Sequence, residues 1–246
     1  MAFNLYSNYY DALYSDKDYI EEAAYIVKKL SNNGVSTGNI LEFGCGTGIH
    51  GRLLGNSGYS VHGIDQSRQM IEIAKTSTSF TCQIGDIRTV ELGKKFNGII
   101  SLFHVMSYQT ENSDVNAVLS NANKHLDVGG TFIFDFWYLP AVLSQKPECR
   151  IKKMENGNAS IIRFAQPEIH YNSNLVDVNY TILIKDLKTN ESEEIFERHS
   201  MRYFTLPEIS LFCEVNGFRI KQAEEFLSSQ APSEETWGIC VVLEKV

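Results

Sequence analysis

ILEFGCGTG, at positions 40–48, is an apolar run carrying one acid, Glu42, that breaks into glycine at every second position: Gly44, Gly46 and Gly48. The run has the length and the unbroken apolar character of a strand covered on both faces. Glycines directly after it permit a tight turn and let the backbone approach a ligand closely. The loop opens a helix reaching to about residue 56, whose N–H groups and dipole favour an anionic group.

Strand and helix alternate on either side. Upstream, Ile20, Ala23, Ala24, Val27 and Leu30 recur at helical spacing and predict a helix over about 17–31, with Ser15 and Asp18 placed as N-cap and acidic partner. Downstream, strands are expected at 59–64, 80–84, 96–103 and 131–136. Ser67 caps one intervening helix, and Val115, Val118, Leu119 and Ala122 mark another that stops at DVGG. This is the pattern of a mostly parallel sheet with helices on both faces.

After Pro140 the rhythm changes. Segments 159–171, 175–185 and 194–204 read as strands separated by turns, so an antiparallel β insertion is expected after the fifth strand. A helix at 207–216 and strands at 218–226 and 237–243 complete a seven-stranded, Rossmann-like α/β sheet. The expected division is a core of residues 1–140 and 205–246, with 141–204 covering the active site.

The 246 residues suit one large domain with an addition. A formal charge of −8 disfavours non-specific binding to nucleic acid or anionic membrane. No apolar run approaches a membrane span, and the Tyr-rich N-terminus lacks the pattern of an export signal. Five scattered cysteines (45, 82, 149, 213 and 240) argue against a disulfide framework, so a cytoplasmic protein is expected. No metal-ligand spacing occurs. RIKK at 150–153 reads as a solvated basic patch, and His50, His62, His125 and His170 as surface or capping residues. The sequence sets no oligomeric state.

Three carboxylates end successive strands or sit beside them: Glu42, Asp65 and Asp86. Strand C-termini are where open α/β sheets bind ligands. Gly46, Gly48 and Gly51 also satisfy G-x-G-x-x-G, with Asp65 as the ribose-binding acid of a dinucleotide site. That alternative leaves Glu42 and Gly44 without a role and puts its third glycine inside the helix.

The acid-x-Gly-x-Gly-x-Gly loop resembles that of class I S-adenosylmethionine-dependent methyltransferases, over residues 37–136. The resemblance implies S-adenosylmethionine as cofactor. It implies that Glu42 orients the methionine ammonium, that Gly44, Cys45, Gly46 and Gly48 lie along the cofactor, and that Asp65 with Gln66 meets the ribose. Asp86 and Ile87 are then expected near the adenine amino group, with Met70 and Phe103 packing nearby. More weakly, YDALYSDKDY, DFWYLP and the pair His199–Thr205 are similar to segments of N-methyltransferases acting on nucleotide-linked amino sugars. Tyr108 stands where that family has a histidine, so no catalytic histidine is carried over.

Methyl transfer needs a nucleophile aligned with the sulfonium methyl, and a hydroxyl acceptor needs a better-placed base than an amine. The candidate catalytic residues are Tyr108, Tyr10 and His104. Tyr19, Asp135, Trp137, Tyr138 and His199 are the candidate acceptor contacts. The expected acceptor is a soluble small molecule, an amino group on a nucleotide-linked sugar. The alternatives are O-methylation of another metabolite and a non-enzymatic chain that only holds the cofactor.

Overall fold

The computed structural model of the protein describes residues 13–14, 16–74, 76–157 and 159–246. Tyr10 and Ser15 lie outside the described residues.

The elements run α1 (Tyr19–Asn32), β1 (Gly38–Phe43), α2 (Ile49–Asn56), β2 (Tyr59–Asp65), α3 (Arg68–Ile73), β3 (Phe80–Ile84) and β4 (Phe96–Ser101). There follow a 3₁₀ turn (Val105–Tyr108), α4 (Asn112–Lys124), β5 (Leu126–Tyr138), α5 (Leu139–Gln145) and β6 (Arg150–Asn156). The chain closes with β7 (Ala159–His170), β8 (Leu175–Asp186), β9 (Ser192–Phe204), α6 (Leu206–Val215), β10 (Phe218–Glu225) and β11 (Gly238–Lys245).

Strands β3-β2-β1-β4-β5 pair in parallel in that order. Antiparallel β11 adds to β5, and β10 to β11. Side chains alternate across this sheet, and apolar clusters cover both faces of its central strands. Phe132, Phe134 and Phe136 of β5 join the cluster under α4 and α6. Ile133 joins Ala23, Ile26 and Leu54 under α1 and α2. The expected mixed α/β fold is therefore present.

Strands β6–β9 form an antiparallel sheet. It meets the parallel one at the tip of β5, through Trp137 paired with Tyr203 and Tyr138 with Phe204. Arg202 of β9 ties this junction: its guanidinium donates to Thr110 O, Asn112 Oδ1 and Glu208 Oε1. Thr205 and Glu208 close a capping box at the start of α6, giving Thr205 a helix-capping place.

Several expectations need correction. α1 buries Glu22, Ala23, Ile26, Lys29 and Leu30, whereas Ile20 is 72% exposed and Ala24 is exposed. The helix is turned because its charges are paired inside: Glu22 with Lys17 and His50, Lys29 with Glu224. A pattern read only from apolar residues misses a face of this kind. RIKK opens strand β6, with Lys152 paired to Asp16. DVGG lies within β5 and is accompanied by a register irregularity against β4. His50 and His125 are buried; His125 bonds Asn121 O and the Leu92 N–H. No helix among the described residues is long and apolar enough to cross a membrane.

Candidate active site

The glycine loop is fastened to the end of β2. Backbone N–H groups of Gly44 and Cys45 donate to Ile64 O at 2.8 and 3.1 Å. Asp65 then bridges the loop and the next helix: Oδ2 accepts from Gly46 N and Oδ1 from Ser67 N, each at 2.8 Å. Ser67 caps α3 by accepting from Met70 N, and so presents the buried Met70. Burial raises the Asp65 pKa, while the N–H groups of Ser67, Gly46 and Gln66 pull it back.

Glu42 is 2% exposed and its Oε2 has no hydrogen-bond partner among the described residues. It faces the first turn of α2, where a Cβ on Gly51 would come within 2.6 Å of Oε2. Burial, reinforced by the charge of Asp65, pushes its pKa up to about 8. An acid held neutral in this way is an acceptor waiting for a cation.

In front of the loop lies a cavity of about 830 Å³. Gly44, Gly46, Asp65, Gln66, Met70, Ile87 and Phe103 line it, as do His104, Tyr108, Trp137 and His199. Other candidates stand outside this lining, Glu42 beneath the loop and Asp135 among them. Cys45 and Gly48 are buried in the loop. Tyr19 packs edge-on against His50, 5.1 Å between centroids. Tyr138 packs against the core under α4. Asp86 does not line the cavity; its two oxygens are taken by the Arg88 guanidinium, and Arg88 lines the wall instead.

The far half of the cavity is aromatic. Phe103 and His104, just after β4, both adopt left-handed φ (64° and 62°), uncommon outside glycine and typical of strained functional loops. The turn lets the His104 N–H donate to Asp135 Oδ1 at 2.9 Å, with ring Nδ1 at 2.9 Å from Oδ2 but not aligned for a hydrogen bond. Burial would raise the Asp135 pKa, yet the neighbouring His104 and Lys17 hold it below the usual carboxylate range. Asp135 is thus an anchor behind the wall. Trp137 packs edge-on with His104 and Trp237. The 3₁₀ turn carries Tyr108 to the antiparallel sheet, where its OH lies 2.7 Å from His199 Nδ1.

Residues 40–130 match the model of a methyltransferase domain. This chain carries a methyltransferase domain. Among curated relatives, the dTDP-3-amino-3,4,6-trideoxy-alpha-D-glucopyranose N,N-dimethyltransferase of Streptomyces venezuelae is 28% identical over 138 residues, 55% of this chain and 58% of that one. The dTDP-3-amino-3,6-dideoxy-alpha-D-glucopyranose N,N-dimethyltransferase of Streptomyces fradiae is 24% identical over 77% of this chain and 73% of its own length. The chain thus spans a little over half of the first relative. A crystal structure of an S-adenosylmethionine-dependent methyltransferase from Clostridium acetobutylicum superposes with a TM-score of 0.80 at 20% identity, covering 98% of this chain and 99% of that one. The family expected from the acid–glycine loop is borne out, with S-adenosylmethionine as its cofactor.

Parts of the methyltransferase cavity were missed from sequence. Tyr14, Val178, Tyr180, Met201 and Trp237 also line it. Strand alternation could have supplied three of them: Val178 and Tyr180 share a face of β8, and Met201 shares one with His199 on β9.

Proposed function

We propose that this methyltransferase transfers a methyl group from S-adenosylmethionine to the amino group of a small nucleotide-linked sugar. The observation that carries the cofactor half is Glu42. A buried acid with an unpartnered oxygen suits the methionine ammonium, which draws it to its ionised form, and offers a dinucleotide's pyrophosphate no cation to meet. Bound there, the cofactor supplies an electrophilic methyl on a sulfonium. Asp65, already accepting two backbone N–H groups, keeps lone pairs for paired ribose hydroxyls. Gly44 and Gly46 give close backbone approach, and Met70 and Ile87 give apolar walls for the adenine.

The acceptor half of the proposal is supported by the two amino-sugar relatives and by the aromatic walls of Tyr108, Trp137 and Trp237. Such walls suit an amine, which interacts favourably with ring faces once charged. Residues 1–140 with 205–246 are proposed as the core and 141–204 as the cover that closes the acceptor side.

Calorimetric titration decides the cofactor: S-adenosylmethionine and S-adenosylhomocysteine are expected to bind and NAD to give no heat. Asp65→Ala is expected to weaken S-adenosylhomocysteine roughly 10- to 100-fold, since hydrogen bonds to a charged group are worth about 1.5–3 kcal/mol; an unchanged Kd removes Asp65 from the site. The acceptor is decided by labelled methyl transfer to amino and non-amino nucleotide sugars, with mass spectrometry of the product. Methylation on oxygen of a non-amino sugar, with amino sugars inert, overturns the proposed acceptor.

A further inference from the structure

One carboxylate holds His104 at two places. The backbone N–H donates to Asp135 Oδ1, and ring Nδ1 faces Asp135 Oδ2, both at 2.9 Å. Nδ1 is buried and has no hydrogen-bond partner among the described residues, so Asp135 is the polar group it meets. Gly238 of β11 packs on the ring as well: a Cβ there would lie 3.1 Å from His104 Cε1. With Nδ1 and Cε1 turned to the protein, the ring lines the cavity through Nε2 and Cδ2. Val105, next in the chain, fills the space over Gly44, while Trp137 packs edge-on with the His104 ring. His104 therefore stands where the glycine loop meets the aromatic half of the cavity.

The charges around the pair fix a direction. Burial would raise the Asp135 pKa, yet His104 and Lys17 hold it below the usual carboxylate range, so Asp135 stands ionised. An ionised carboxylate only accepts, so the facing Nδ1 carries a proton. In the neutral ring Nε2 is then a bare lone pair, the arrangement of a general base. The neighbouring groups leave this assignment in place. Lys17 is paired with Glu22 of α1 and lies over the Phe103 ring. Cys240 of β11, paired with Asp135, is kept a thiol by burial, its pKa pushed up to about 12. Trp137 and Gly238 carry no charge.

We infer that His104 Nε2 takes a proton from the acceptor's ammonium group ahead of methyl transfer, with Asp135 as the positioning residue that fixes the ring tautomer. This rests on the proposed reading of the acceptor as an amine. An alkyl amine is mostly ammonium near neutral pH, its pKa being about 10.4 in lysine, and an ammonium has no lone pair to give. One N–H proton passes to Nε2, and its bonding pair stays on nitrogen. That pair forms the bond to the methyl carbon, and the carbon–sulfur pair returns to sulfur. The imidazolium is balanced by the Asp135 carboxylate. Solvent recovers the proton after product leaves.

The test has two readouts. Nitrogen-15 spectra of the imidazole-labelled full chain should place the proton of the neutral His104 ring on Nδ1. In Asp135→Asn the one amide oxygen is taken by the His104 N–H, so the amide NH₂ faces Nδ1 and the ring proton should move to Nε2. The second readout is single turnovers near neutral pH, with saturating S-adenosylmethionine and dTDP-3-amino-3,6-dideoxyglucose as probe. His104→Asn and Asp135→Asn should each lower the rate on the order of 10²-fold or more. Asparagine tolerates the left-handed backbone at 104, and an unchanged Kd for S-adenosylhomocysteine verifies the fold of each variant. At about pH 9.5 the deficit of each variant against wild type should shrink at least about tenfold, because the amine then sheds its proton without help. A wild-type proton on Nε2, a His104→Asn variant as fast as an active wild type, or a deficit that is constant with pH overturns the base. A wild type that methylates no amino sugar, with the Nδ1 tautomer intact, instead overturns the acceptor reading on which the base rests.

Discussion

Glu42→Gln is expected to stabilise the cofactor-free chain at alkaline pH while weakening its hold on the cofactor. The folded-state pKa of Glu42 is raised to about 8, against 4.5 for the free side chain. As pH rises through 4.5 the unfolded chain releases this proton, whereas the folded chain keeps it until near 8. Stability therefore falls across that window, by about 1.4 kcal/mol for each unit of difference. The glutamine carries no proton to lose. The two proteins should melt at similar temperatures at pH 5, and the variant should melt higher at pH 9. Differential scanning calorimetry at the two pH values reads this directly. A bound ammonium reverses the logic, because it draws the acid back to its ionised form. At pH 7.5 the wild type should release up to one proton on binding S-adenosylmethionine, detectable as a buffer-dependent heat in phosphate and Tris. The variant should show no such dependence and should bind about 10- to 100-fold more weakly. Equal proton release by both proteins would detach Glu42 from the ligand.

Gly44→Ala should do more damage than the same change two residues later. Gly44 has φ 71°, and a Cβ there would lie 2.5 Å from Val105 Cγ2. Gly46 has φ 52°, but its Cβ would meet nothing within 4 Å. Both substitutions carry the backbone cost of a left-handed non-glycine residue, about 1–3 kcal/mol. Gly44 adds the cost of overpacking, typically another 1–3 kcal/mol. Val105 opens the 3₁₀ turn that holds Tyr108, so the push should reach the acceptor side as well. Urea unfolding should rank Gly44→Ala as the less stable variant by at least about 1 kcal/mol, with cofactor binding lost in it and only weakened in Gly46→Ala. Equal midpoints would show that Val105 yields freely.

The parallel half was legible because its strands are covered on both sides and ended by glycines and acids, so each announced itself locally. Most of the features that were not legible share one cause, a partner distant in sequence. The buried face of α1 depends on Glu22 meeting Lys17 and His50, and on Lys29 meeting Glu224. β6 looked like a charged patch because most of its side chains face solvent, and only the register with β7 makes it a strand. Asp86 stands at the expected position, but Arg88, two residues on, turns its carboxylate away. Tyr108 and His199 were each named as candidates. Their meeting could not be read from positions 91 residues apart.

Among the described residues the two sheets share one strand pair of just two residue pairs, Trp137–Tyr203 and Tyr138–Phe204, at the very tip of β5. A seam this narrow makes the chain separable for an engineer or for evolution. Strands β6 to β9 can be exchanged for those of a relative at the cost of few backbone bonds, leaving Glu42, the glycine loop and Asp65 undisturbed. Chimaeras cut on either side of that seam would carry the glycine loop of one parent and the β6–β9 wall of the other, with Tyr108 meeting whatever side chain the transplanted strand offers at position 199.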